Sequence, residues 1–161
     1  VGESNIATRW RTSEFDNLAL TPGSASTFRV VNRNSGKVLA VSGGSLDDGA
    51  TIVQQTDTGA ATQRWQVVQS GAYTQLINVG SGRALDVPGF STTQGTQLIQ
   101  WSVNSGTNQQ WAQAPSGGFT TLTNRSSGLV ADVSGASTAD NAAVIQWAST
   151  GGTNQQWQIT P

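Results

Sequence analysis

The sequence contains no cysteine, no histidine and no methionine. The first two absences remove thiol nucleophiles, imidazole bases and metal sites built on Cys or His. They leave the compartment open, because a cysteine-free chain suits the cytosol and equally a secreted domain that needs no disulfide staples. Charge is scarce as well. Eight basic and nine acidic residues amount to 11% of the chain and leave a net charge of −1. Eight dispersed cations give no electrostatic footprint for nucleic acid. No apolar run approaches the ~18 residues of a membrane-spanning helix, so no membrane insertion is expected. No basic segment followed by an apolar one marks the N-terminus, and Val1 is expected to begin a processed or excised piece.

The 161 residues suffice for one domain with one core. Leu, Ile, Val and Phe number only 33. That is about a fifth of the chain, a poverty shared with disordered proteins, but disorder also calls for a high net charge, which is missing. Ser, Thr, Asn, Gln and Gly cover the surface instead.

A repeat with a constant step of 46 residues organises the chain. Trp65, Trp111 and Trp157 each close a Gln-x-Trp triplet. Asn32, Asn78 and Asn124 keep the step, as do Gly36, Gly82 and Gly128; Val41, Val87 and Val133; Gly43, Gly89 and Gly135; and Gln54, Gln100 and Gln146. Copies two and three share 17 of 34 residues between Asn78–Trp111 and Asn124–Trp157. Each copy reads as about four short strands rich in β-branched and aromatic residues, separated by turn clusters such as Asn34-Ser35-Gly36. Gly49 and Gly95 are matched by Asn141, which predicts a left-handed turn position in all three copies. About twelve strands in a flat sheet would expose edges, and closure about a threefold axis removes them.

These three Gln-x-Trp repeats resemble the ricin B-chain type β-trefoil, also called the family 13 carbohydrate-binding module. The resemblance covers residues 24–161 and implies an all-β, pseudo-threefold fold with repeats at about 24–69, 70–115 and 116–161. Many members carry Cys at the positions of Ala84 and Val103, and the usual disulfides are absent here. Residues 1–23 lie outside the repeats. Phe15–Leu20 reads as a strand and Thr21–Ser26 as a linker, either the end of a preceding β-sandwich domain or a plain N-terminal arm.

Differences between copies point to function. Asp86 and Asp132 face Ala40; Trp101 and Trp147 face Gln55; Asn108 and Asn154 face Thr62. All three losses fall in copy one. A core would not exchange Trp for Gln, since an unpaired buried amide costs a few kcal/mol, so Trp101 and Trp147 are expected at the surface. The trio suits a sugar. A carboxylate accepts from two neighbouring hydroxyls, an amide donates and accepts, and an indole covers the apolar face of a pyranose. The resemblance implies that Asp86, Trp101, Asn108 and Gln109 hold sugar in copy two, with Asn104 beside them. Asp132, Trp147, Asn154 and Gln155 would do so in copy three, where Thr150 replaces Asn104.

The expected function is therefore non-catalytic carbohydrate binding by an extracellular monomer, with no cofactor and no metal. The resemblance favours galactose-type ligands and a place beside a secreted glycoside hydrolase. A free-standing lectin, a xylan or arabinan binder, and a trefoil that inhibits or docks proteins are the alternatives. A glycosidase needs paired carboxylates about 5–10 Å apart, whereas Asp86 and Asp132 fall on different lobes. Asp47-Asp48 reads as a solvated turn. Without histidine, binding is expected to hold level from about pH 6 to 8 and to fall as Asp86 and Asp132 protonate around pH 4.

Overall fold

The computed structural model describes residues 26–161. The readings of residues 1–23 lie outside the described residues. Twelve strands run through the chain. Copy one holds β1 (Arg29–Asn32), β2 (Val38–Val41), β3 (Ile52–Gln55) and β4 (Trp65–Ser70). Copy two holds β5 (Tyr73–Asn78), β6 (Ala84–Asp86), β7 (Ile99–Trp101) and β8 (Trp111–Ser116). Copy three holds β9 (Phe119–Asn124), β10 (Val130–Val133), β11 (Val144–Trp147) and β12 (Trp157–Thr160).

Six of these strands close a barrel. The fourth strand of each copy pairs antiparallel with the first strand of the next: β4 with β5, β8 with β9, and β12 with β1. Within each copy the first and fourth strands meet at one pair: Phe28 with Trp65, Thr74 with Trp111, and Trp157 with Thr120. The other six strands form three hairpins. Bridges at Thr51–Ile99, Val53–Ala143 and Gln97–Ile145 join the hairpins in a second ring. The architecture is a β-trefoil, and its closure leaves few edges to protect.

The core repeats the sequence step. Five sets of three fully enclosed side chains compose it: Val30, Leu76 and Leu122; Leu39, Leu85 and Ala131; Val41, Val87 and Val133; Ile52, Leu98 and Val144; and the three Gln-x-Trp tryptophans. Each indole is buried and still satisfied. Trp65 Nε1 donates to the Leu39 carbonyl at 2.9 Å, Trp111 to Leu85 at 3.1 Å and Trp157 to Ala131 at 3.1 Å. The bulk excludes water while the N–H keeps a partner, the condition for burying Trp without loss. The expected left-handed turns are present, with φ of 87° at Gly49, 92° at Gly95 and 67° at Asn141.

A second threefold set locks copy to copy. The Gln100 side-chain amide donates to the Ser45 and Asp47 carbonyls of copy one. Gln146 donates to Ser91 and Thr93 of copy two, and Gln54 to Ser137 and Ala139 of copy three. Each loop therefore draws on its neighbour for part of its carbonyl pairing.

Two tryptophans in copy two separate core from surface. Trp111→Ala should cost about 3–5 kcal/mol in urea unfolding, the penalty of a large buried cavity. Trp101→Ala should change stability by less than about 1 kcal/mol.

Candidate functional site

In copy two the site grows from one hairpin and two flanking turns. Asp86 lies opposite Ile99 and Ala84 opposite Trp101, so the carboxylate, Ile99 and the indole share one face. The turn Pro88–Phe90 forms one wall and the turn Thr107–Gln109 brings Asn108 and Gln109. The result is an open cleft of about 260 Å³, lined by Asp86, Ile99, Trp101, Asn104 and Asn108, with Pro88, Gly89 and Phe90 at its rim. Trp101 is 43% exposed and Trp147 39%, as the Trp-to-Gln exchange between copies predicts. The backbone of Gly49, in copy one, lies against Trp101; a Cβ there would stand 3.8 Å from the indole. Gly95 of copy two supports Trp147 in the same way.

Asp86 is 3% exposed. Its Oδ2 accepts from Gln109 Nε2 at 2.9 Å and its Oδ1 from Asn108 Nδ2 at 3.3 Å. Copy three repeats this: Asp132 accepts from Gln155 Nε2 at 2.7 Å and from Asn154 Nδ2 at 3.3 Å. Among the described residues no cation pairs with either carboxylate. Neutral amides hold one side of each group, and the remaining lone pairs are left for donors from outside.

Gln109 and Gln155 are buried and spend both amide hydrogens internally, on the carboxylate and on the carbonyls of Ser102 and Ala148. Their Oε1 atoms accept the backbone N–H of Asn104 and Thr150, which shapes the loop beside the cleft. These glutamines position the carboxylate and do not line the opening. Asn104 does line it, while Thr150 spends its hydroxyl near Gln155 Oε1 at 3.2 Å.

Copy one shows what the exchanged residues do. Ala40 is buried where the carboxylate would be. Gln63 donates instead to Gln55 Oε1 at 3.0 Å, and Gln55 donates to Asn141 Oδ1 at 3.2 Å. One glutamine thus takes over from both the carboxylate and the aromatic. An open depression of about 420 Å³ remains over Thr56, Thr58 and Thr62, with Asp140 at its side, but it lacks an aromatic wall.

Two readings of the acids need correction. Asp48 is not merely solvated. It accepts from Arg83 Nε at 2.7 Å and from Ser102 N at 2.6 Å, tying the copy-one loop to the copy-two hairpin. Partial desolvation opposes ionisation there, but these hydrogen bonds outweigh it and hold its carboxyl below the usual range. Asp86 does not titrate at its ordinary value. Burial pushes it up to about 6 against the opposing hydrogen bond from Gln109, and the nearby Asp48 charge adds to the rise. Asp132 is raised by burial too, opposed by Gln155 and Asn154. Phe90, in turn, was not singled out by residue type or spacing. Its signal is the unequal set Gly44, Phe90, Ala136 at one repeat position.

The family model for the ricin-type β-trefoil lectin domain matches three times, over residues 6–101, 63–147 and 107–161. The chain belongs to the ricin-type β-trefoil lectin family. A designed threefold-symmetric protein, ThreeFoil, is 42% identical with a TM-score of 0.82, over 84% of this chain and 98% of its own. An exo-β-1,3-galactanase from Clostridium thermocellum is 43% identical with a TM-score of 0.82, over 86% of this chain, which spans only 30% of that enzyme. The lactose-bound ricin B-like lectin of Macrolepiota procera shares the fold at 21% identity and a TM-score of 0.74, over 88% of this chain and 99% of its own. No curated protein sequence matches the chain. Family and fold together are those of a carbohydrate-binding domain.

The raised Asp86 value has a signed consequence for stability. Below about pH 4 the carboxyl is protonated in both folded and unfolded chains. Between about 4 and 6 the folded state retains a proton that the unfolded state has lost, so stability contributed by Asp86 falls as pH rises through this window and levels above it. Subtracting Asp86→Asn from the unmutated protein in urea unfolding at pH 4, 5, 6 and 7 should isolate that slope. A flat difference would place the carboxyl at an ordinary value.

Proposed function

We propose that this domain binds sugars without catalysis, through the copy-two and copy-three clefts, and that it holds a secreted glycoside hydrolase on a galactose-bearing polysaccharide. One observation carries the reading: each cleft presents a buried carboxylate, fixed by amides and lacking a cation, next to a half-exposed indole. Two adjacent hydroxyls of a pyranose supply the donors that the carboxylate lacks. The apolar face of the same ring covers the indole. The 43% identity to part of a galactanase supports both the sugar class and the role of an appended module. Copy one, with its amides paired to each other, offers no such acceptor.

Each cleft is shallow and exchanges its hydrogen bonds with water, so single-site affinity should lie at about 0.1–10 mM. Calorimetry with lactose should give two sites per chain. Trp101→Ala should weaken one of them by about 1–3 kcal/mol. Asp86→Asn should weaken the same site at least as much and leave the fold intact. Occupation of copy one around Ala40 and Gln55 in a sugar-soaked crystal would overturn this stoichiometry. Binding at the copy-two site should weaken as pH falls through about 6, because protonation removes an acceptor. That replaces the fall at pH 4 expected from an unperturbed aspartate.

Retention on a branched galactan tests the targeting role. Two sites on one rigid body raise avidity by roughly 10²–10⁴ when both engage. Asp86→Ala or Asp132→Ala alone should lose most retention on the polysaccharide, and the pair all of it. A single variant retained like the unmutated domain would mean that the sites do not act together.

A further inference from the structure

The two intact clefts are not equivalent, and Phe90 is the largest difference between them. It stands at the rim of the copy-two cleft and is 54% exposed. Its φ is +54°, in the left-handed region that a bulky side chain rarely occupies. The equivalent positions share that conformation with smaller residues: Gly44 at φ 63° and Ala136 at φ 52°. A strained aromatic directed outward gains little for the core, and such outliers gather at ligand sites.

Its surroundings are built rather than open. A Cβ on Gly106 would stand 3.2 Å from the tip of the Phe90 ring, 2.5 Å from Asn108 Oδ1 and 2.9 Å from Asn104 Oδ1. The bare glycine lets these three groups converge. Asn108 Oδ1 is buried and has no hydrogen-bond partner. One wall of the cleft thus presents an aromatic ring, packed at its tip over Gly106 and the enclosed Asn108 amide. The equivalent convergence at Gly152 brings together Asn154 and Thr150 and no aromatic.

Resting on the sugar-binding reading above, we propose that Phe90 is a specificity-determining residue of the copy-two site. It gives a bound saccharide a second apolar contact besides Trp101 and makes copy two the tighter of the two sites.

The test is a ¹H–¹⁵N titration with lactose, in which the indole N–H signals of Trp101 and Trp147 report the two sites separately. Xylobiose and arabinose follow if lactose moves neither signal. Phe90→Ala should weaken the Trp101-reported site about three- to ten-fold and leave the Trp147 site unchanged. Phe90→Tyr, which keeps the ring face, should stay within about two-fold of the unmutated protein. Copy three already carries Ala at this position, so the fold accepts the change, and Tm should not drop. An unchanged Trp101-site affinity in Phe90→Ala, or an equal loss at both sites, would overturn the role of Phe90 while leaving carbohydrate binding in place. If no sugar moves either indole, the binding reading itself fails and this one with it.

Discussion

No copy of this repeat can satisfy its own backbone. The loop after the second strand of each copy carries a serine carbonyl, Ser45, Ser91 or Ser137, that accepts from the side-chain amide of Gln100, Gln146 or Gln54 of a neighbour. Those loops are surface features in one sense, but each lies over a buried glutamine, and a buried amide without partners costs a few kcal/mol. The three copies must therefore close into a ring. Asn32, Asn78 and Asn124 add a parallel set, each donating to a backbone carbonyl in another copy, Asn154, Thr62 and Asn108 respectively. Barrel pairing, the bridges between hairpins and these amide contacts all join each copy to the next around the ring.

Closure also builds the clefts. Trp101 belongs to copy two but leans on Gly49 of copy one, and the clasp of Asp48 on Ser102 holds that loop in place. A single repeat would present its aromatic without this support. The Gln-x-Trp pair serves both purposes at once. The tryptophan anchors the core through its Nε1, and the glutamine two residues earlier turns outward to fix the carboxylate and the loop. The core thereby hands its rigidity to the site, which a shallow cleft with few contacts needs for a defined geometry.

The price of that geometry is a carboxylate held above its usual pKa. Copy one shows the relaxed solution. Replacing Asp by Ala removes the buried charge, and replacing Trp by Gln supplies the acceptor that Gln63 then requires. The two changes are coupled by hydrogen-bond accounting, which explains why they occur in the same copy and why loss of the site leaves the fold intact.

Residues at a constant step of 46 were enough to establish the fold class, the number of strands and the core tryptophans, because threefold closure demands the same residue type at the same place three times. The comparison between copies also picked out Asp86, Trp101 and Asn108 and their copy-three counterparts, since positions the fold does not require are free to differ. Tertiary structure decided the rest. Gln109 and Gln155 are alike in all copies and could not be told apart from ligand contacts until their amide hydrogens were seen to be spent inside. The Asp86 carboxyl depends on burial and on Asp48, a residue 38 positions earlier that arrives from another copy. Phe90 carries no motif, and only its place beside Gly106 and Asn108 gives it meaning. Repetition reveals what the symmetry needs, whereas solvation, charge proximity and convergence across copies exist only once the ring has closed.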